Sequence, residues 1–317
     1  MRVALLVNPF ASSVTAKKQK LAVDALTAGN DLTVLETTCR DHATTLASAA
    51  SADGAEVVVV LGGDGTLNEA ANGLVGTTTA LGTLPGGSTN VFARTLGLPN
   101  DVGRAAAQLS GLLAAGSIRR MSMGAVDGRH FLFHVGLGFD AAVVEQVEKR
   151  AVLKRKLGQA IFVHATFVTL ARHFDRHRAY FTMHFPGDAG HFPGGAGSEV
   201  NGAYAVVMNS NPYTYLGRFP LNLTEDAQPG RGLVAVTVRT MHLPAVFGLV
   251  TSAMGTGKRL RSNPQVDHRP GLMSFTVTGH GGPFPYQVDG DFLGTVDELT
   301  ITYEPDALAI VAPPPPG

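Results

Sequence analysis

Glu56-Val57-Val58-Val59-Val60-Leu61-Gly62-Gly63-Asp64-Gly65-Thr66 is the stretch whose reading decides the fold. A valine run with no polar alternation fits a strand buried on both faces, as in a parallel sheet. Gly62-Gly63 end it abruptly, and residues 66–74 carry a helical pattern. The segment therefore predicts strand, tight glycine turn, helix.

The same alternation extends outward on both sides. Residues 2–7 form a continuous apolar strand closed by Asn8-Pro9. A helix-like stretch with Leu21, Ala22, Ala25 and Leu26 on one face ends at Gly29. A strand over 32–35 and an alanine-rich helix over 41–52 follow; beyond the glycine turn come a strand over 79–84 and helices over 91–96 and 102–115. Strands spaced by such helices predict an α/β fold with a doubly wound parallel sheet, a nucleotide-binding domain over residues 1–122.

After Arg120 the texture changes to strand-like segments at 131–135, 180–185, 203–209, 234–239, 273–278 and 298–303, interrupted by a helical stretch from about 143 to 174. This predicts a second, mainly antiparallel β domain over 123–303. The apolar run 307–311 reads as a return to the first domain, which residues 304–313 would complete; 314–317 read as a disordered tail.

Bulk properties narrow the function. Of 317 residues, 44% are apolar and 16% charged, with formal net charge +0, so a whole-molecule positive field favouring nucleic acid is absent. Cys39 is the single cysteine, which excludes an intramolecular disulfide. No apolar run approaches the roughly 20 residues of a membrane span, and the N-terminal run is too short for a signal-peptide core. The expectation is a cytoplasmic protein, peripheral at most to the inner face of a membrane.

The glycine turn suits phosphate. Its backbone can approach a ligand closely, and the following helix adds its positive N-terminal end. Asp64 inside the turn would repel phosphate unless Mg²⁺ stood between them. A second small-residue loop, Leu84-Pro85-Gly86-Gly87-Ser88-Thr89-Asn90, follows the next strand. Parallel strands would set these two loops, Asn8-Pro9 and Thr37 at one carboxyl edge, where nucleotides bind.

The combination of Asn8-Pro9, Thr37 with Asp41-His42-Ala43, Gly62–Thr66 with Asn68-Glu69 and Asn72-Gly73, and the run 84–94 resembles the diacylglycerol kinase/sphingosine kinase catalytic family. The resemblance is densest over 56–98 and continues more weakly through Gly136-Leu137-Gly138-Phe139-Asp140 to Asp289-Gly290-Asp291. It implies ATP and Mg²⁺ on the first domain, with a lipid entering a cleft towards the second. By position it makes Asn8, Pro9, Thr37, Gly62, Gly63, Asp64, Gly65, Thr66, Leu67, Asn68, Glu69, Gly87, Ser88, Thr89 and Asn90 the nucleotide-binding set, with Asp64 at the metal. Two departures stand out. Val91 occupies a position where the family usually carries Asp. Arg231-Gly232-Leu233 replaces an Asp-Gly-Leu linked to a structural Mg²⁺ in many bacterial relatives, so that second metal is not expected here.

If Tyr286–Phe292 stays extended, Asp289 and Asp291 fall on one face. Two close carboxylates resist ionising together, which suits a general base. Asp291, where the family usually has Glu, is the favoured base and Asp289 its partner, with the exchanged roles open. The competing description of these residues is a plain Asp-Gly hairpin turn.

The resemblance, not residue chemistry, supplies the lipid acceptor: diacylglycerol, or a sphingoid base or ceramide, met at a membrane surface. A basic cluster, Lys149, Arg150, Lys154, Arg155 and Lys156, fits either an anionic bilayer or a solvated helix face. Other readings stay open: a NAD kinase-like enzyme, a nucleotide or lipid sensor without turnover, and, from the loose Gly136-x-Gly138-x-x-Ala141 fingerprint, a dinucleotide oxidoreductase. A homodimer is also open.

Overall fold

All residues of Val57–Gly62 (β3) are buried, as an apolar run inside a parallel sheet must be. The computed structural model describes residues 1–148, 178–187, 197–240 and 263–314. The basic cluster 149–156, the expected helix beyond 148, and the apolar runs 161–170 and 243–254 lie outside the described residues. The chain divides into two units, residues 1–122 with 305–317, and residues 123–304.

In the first unit, Arg2–Val7 (β1), Ala16–Thr27 (α1), Asp31–Glu36 (β2), His42–Ala52 (α2), β3, Asp64–Leu74 (α3), Ala80–Pro85 (β4), Val91–Thr95 (α4) and Val102–Ala114 (α5) follow in order, and Ile118–Val126 (β5) leads out. The strand order is β2-β1-β3-β4, all parallel. Connections run one way from β1 to β2 and the other way from β3 to β4, so the topological switch point lies between β1 and β3. In open α/β sheets, ligands bind outside the strand ends at such a point. Leu5, Val59, Leu26, Leu109 and their neighbours form the core on the α1 and α5 side, while α2 and α3 pack together. α3 begins at Asp64, two residues before the expected start, because Gly63 already serves as its N-cap.

The second unit holds Arg129–Phe131 (β6), His134–Gly138 (β7), Phe139–Glu148 (α6), Phe181–Phe185 (β8), Ser198–Gly202 (β9), Tyr204–Met208 (β10), Thr214–Leu216 (β11), Phe219–Leu221 (β12), Leu233–Val238 (β13), Val266–Leu272 (β14), Ser274–Gly279 (β15), Phe284–Val288 (β16), Asp291–Val296 (β17) and most of Glu298–Val311 (β18). One antiparallel sheet runs β14-β13-β10-β7-β16-β17. β15 pairs with both β18 and β8, and β8 with β9, again antiparallel. Phe131, Leu137, Phe181, Phe275 and Phe284 share one core. The end of β18 lies in the first unit, where Ile310 pairs with Leu81 of β4 in parallel.

The expected strand 131–135 is broken in two. β6 stops at Phe131 and β7 starts at His134. Between them the N–H groups of Leu132 and Phe133 turn onto a side chain, the carboxylate of Asp289, at 2.7 and 2.9 Å.

Candidate functional site: two glycine loops and a buried acid network

The first-turn N–H groups of α3 have no acceptor within the helix, and no side chain caps them, since the N-cap is Gly63. Together with the helix dipole, the amides of Asp64, Gly65 and Thr66 make an anion-facing end at the switch point. Asn8 Nδ2 donates to Thr66 Oγ1 at 2.7 Å, which ties the end of β1 to this turn.

The second loop lies directly on the first. Gly86 N–H donates to the Gly62 carbonyl at 2.8 Å. A Cβ at Gly86 would stand 2.8 Å from Gly62 Cα, and one at Gly87 2.8 Å from Gly63 Cα. Gly86 and Gly87 are thus required for backbone-to-backbone packing. Asn90 shapes the same loop, accepting Gly87 N–H on Oδ1 at 2.8 Å and donating from Nδ2 to Asn100 Oδ1 at 2.7 Å. Ser88 is exposed and Thr89 half-buried at its tip.

The Asp64 carboxylate is turned to the N-terminus of α4, accepting Val91 N–H at 2.9 Å and Phe92 N–H at 3.1 Å. Desolvation raises its pKa above the ordinary value, opposed by these two amides and by Arg94. Its structural task is to clamp the first loop to the segment following the second. Among the described residues no three His, Cys, Asp or Glu side chains gather as a metal cage. A Mg²⁺ here would therefore rest on the Asp64 carboxylate together with water and the nucleotide's own phosphates.

The other expected residues sort by their contacts. Thr37 is buried, its N–H on the Val7 carbonyl at 2.9 Å. Leu67 and Asn68 are buried within α3, and Asn68 accepts from Asn72 Nδ2. Glu69 fastens α3 to α2: its Oε2 accepts Ala43 N–H at 3.2 Å, and its carbonyl accepts from Thr44 Oγ1 at 2.9 Å. Pro9 is exposed just past β1. Asn8, Gly63–Thr66 and Gly87–Thr89 therefore meet at one sheet edge, while Leu67, Asn68, Glu69 and Asn90 support it from behind. Ser13 and Lys18 escape sequence reasoning. Ser13 donates from N–H and Oγ to the Gly86 and Gly87 carbonyls at 2.9 and 3.0 Å, and Lys18 Nζ holds the Ser13 carbonyl at 2.8 Å. In sequence, Ser13 and Thr15 give only the signal of a helix cap.

In the second unit, the segment 286–292 is not extended throughout. Asp289 and Gly290 both take positive φ, 49° and 88°, and Val288 pairs with Asp291 across them. This is a two-residue hairpin turn of the primed kind. The expected same-face pair is lost, and each acid has its own partners. Asp289, buried, accepts from the N–H groups of Leu132, Phe133 and His134 at 2.7, 2.9 and 3.0 Å. Asp291 lies 3.4 Å from Arg129 Nη2 and is partly exposed.

A third acid stands in the same unit. Asp140, buried in the first turn of α6, accepts from Tyr213 Oη and from Gln287 Nε2, both at 2.7 Å. Burial pushes its pKa up to about 6, against these two hydrogen bonds. His134, its ring tilted 40° against that of Tyr213 with centroids 4.5 Å apart, is held neutral by burial, its pKa lowered to about 3.

Residues 2–126 match the diacylglycerol kinase catalytic domain. The chain is 32% identical over 166 residues to the diacylglycerol kinase of Bacillus subtilis, covering 51% of this chain and 53% of that one. It is 36% identical over 110 residues to the diacylglycerol kinase of Mycobacterium tuberculosis, covering 34% and 36%. The chain thus spans about half, or less, of the length of these curated relatives. In fold it is similar to the crystal structure of a diacylglycerol kinase from Bacillus anthracis, with a TM-score of 0.70 at 19% identity over 99% of this chain and 97% of that one. A more remote likeness in fold is yeast NADH kinase, with a TM-score of 0.52 at 10% identity over 99% and 84%. Residues 2–126 thus match a diacylglycerol kinase catalytic domain, and over the whole chain the likeness is one of fold.

Proposed function

We propose that this chain transfers the γ-phosphoryl group of ATP to the hydroxyl of a lipid, diacylglycerol or a related lipid. The observation that carries the reading is the uncapped, glycine-led N-terminus of α3 at the sheet's switch point, tied to Asn8 and floored by the second glycine loop. Its amides would hold the nucleotide phosphates, with Ser88 and Thr89 hydroxyls at the rim. Phosphoryl transfer asks mainly for position and charge stabilisation, which fixed backbone dipoles supply.

In the reaction the acceptor O–H bond breaks as its proton passes to a carboxylate. The oxygen lone pair bonds to the γ-phosphorus, and ADP leaves with the electron pair of the broken P–O bond. Asp291 is the favoured proton acceptor. Asp289 is a poor candidate, because backbone donors already engage both of its oxygens.

No helix among the described residues is long and apolar enough to cross a membrane, so the proposal is a protein that meets its lipid at a bilayer surface. The reading is tested by incubating purified protein with γ-labelled ATP and Mg²⁺ beside diacylglycerol, monoacylglycerol, ceramide and a sphingoid base in mixed micelles, with NAD and water as controls. Label entering one lipid, and lost in Asp291→Ala, is the expected result. Label entering NAD alone would move the protein to a nucleotide kinase. ATP binding without transfer to anything would leave a sensor.

A further inference from the structure

The segment Gly136-Leu137-Gly138-Phe139-Asp140 looks like a dinucleotide fingerprint, but its geometry serves something else. A Cβ at Gly136 would overlap both Asp140 Oδ2 and Gln287 Nε2. The bare position on β7 is what lets the Asp140 carboxylate from α6 and the Gln287 amide from β16 meet.

The contact is one link of a chain. Gln287 is fully buried. It donates from Nε2 to Asp140 Oδ2 at 2.7 Å and accepts the N–H of Gly290 on Oε1 at 2.7 Å. A buried amide can sit either way round, and its sense follows from its neighbours. An ionised carboxylate only accepts, so it draws the NH₂ end of Gln287 towards itself and leaves the carbonyl end for Gly290. Tyr213 donates to the other oxygen of Asp140 at 2.7 Å and anchors the carboxylate in turn. The hairpin register also shifts between Tyr286 and Gln287, a bulge of the sort that re-aims neighbouring side chains. The Asp289-Gly290 turn is therefore gripped twice. Asp289 holds it to the start of β7, and Asp140 holds it, through Gln287, to α6.

We propose that Asp140 is a positioning residue for phosphoryl transfer: through the Gln287 amide it fixes the Asp289-Gly290 turn, and so the place from which Asp291 receives the acceptor's proton. This rests on the reading of Asp291 as that proton acceptor. A buried carboxylate and amide are costly where apolar side chains would pack as well, and the arrangement gives the turn a geometry that apolar packing alone would leave loose.

The test is Asp140→Asn. The new side chain offers one acceptor where two donors need one, so either Tyr213 loses its partner or Gln287 turns over and points NH₂ at Gly290 N–H. Steady-state kinetics in the micelle assay and amide hydrogen exchange at Gly290 are read together. The expected result is kcat lowered roughly 10- to 100-fold, KM for ATP within about twofold, since uniform binding is untouched, and faster exchange at Gly290. Gln287→Met keeps the volume, removes both amide bonds and should act in the same direction. It decides the matter if Asp140→Asn does not fold. Tyr213→Phe leaves the Gln287 link intact but removes the charge-assisted bond that anchors Asp140, and should lower kcat by less than Gln287→Met does.

Folded variants with wild-type Gly290 exchange and wild-type kcat would overturn the proposal. So would a kcat loss matched by an equal rise in KM for ATP, which marks general loosening. A wild-type protein that labels no lipid overturns the kinase reading before any variant is compared, whereas unchanged Gly290 exchange overturns the relay alone.

Discussion

A Cβ on Gly87 would stand 2.8 Å from the Cα of Gly63, while a Cβ on Gly63 would meet Gly87 Cα at 3.5 Å. The relationship is asymmetric, and it separates two meanings of a glycine. At Gly87 the neighbouring backbone forbids a side chain. At Gly63 the protein has room for one, so beyond the roughly 0.5–1 kcal/mol that alanine costs as a helix N-cap, any cost there comes from a ligand. Gly87→Ala should lower stability by about 1–3 kcal/mol through overpacking. Gly63→Ala should lower stability, read from the urea midpoint, by no more than that cap cost, yet weaken ATP binding, measured by calorimetry, by about tenfold, roughly 1.4 kcal/mol. Wild-type ATP affinity in Gly63→Ala would show that the start of α3 is not where phosphates sit.

Asp64 gives a second separation. Its two oxygens take the N–H groups of Val91 and Phe92, so its removal should matter without nucleotide. Asp64→Ala leaves those amides unpaired, and the nucleotide-free protein should lose about 1–3 kcal/mol of stability. A metal ligand with no other task would behave oppositely, since deleting a desolvated carboxylate with no metal bound relieves repulsion or burial. An unchanged or raised urea midpoint would therefore remove the clamp.

These cases show what the sequence could and could not reveal. The first unit was legible nearly element by element, because buried parallel strands are uniform apolar runs and Gly62, Gly63 and Asn8 punctuate them. The glycine loops were legible as a pair, but not their mutual packing, which depends on the register of β3 against β4. Asp289 and Asp291 were visible as an acid pair, yet Asp-Gly also encodes a primed hairpin turn, and that local preference prevailed. Three amides between Phe131 and Val135, brought from more than 150 positions away, then claimed Asp289 and split the expected strand. Asp140, Gln287 and Tyr213 come from a helix, a strand and a loop, and no spacing rule joins such residues before the chain has folded.

The two acids of the turn should now behave differently when removed. Asp289→Ala strips acceptors from buried N–H groups at Leu132, Phe133 and His134, and should cost about 2–4 kcal/mol as a charge-assisted network is broken. Asp291→Ala loses a partly exposed ion pair with Arg129 at 3.4 Å, worth at most about 1 kcal/mol. The expected pattern is an unstable Asp289 variant and a stable but inactive Asp291 variant, read from chemical denaturation and the label-transfer assay. The reverse pattern would return the base to Asp289.

Acid stability tests the buried network by its sign. Burial lifts Asp140 from 3.8 to about 6 in the folded protein, so the fold holds that proton longer than the unfolded chain does. The contribution of Asp140 is fully present below about pH 4 and is lost as pH rises towards 6. His134 acts the other way. Burial lowers it from 6.5 to about 3, so its contribution is present above about 6.5 and is lost as pH falls through 3. Between pH 4 and 6 the two largely cancel. Removing one should expose the other: Asp140→Asn should gain stability on the wild type as pH rises from 4 to 6, by at most about 3 kcal/mol. His134→Leu should lose relative stability over the same interval. Urea midpoints at half-unit steps would decide. Two curves running parallel to the wild type would mean that neither group titrates with the fold.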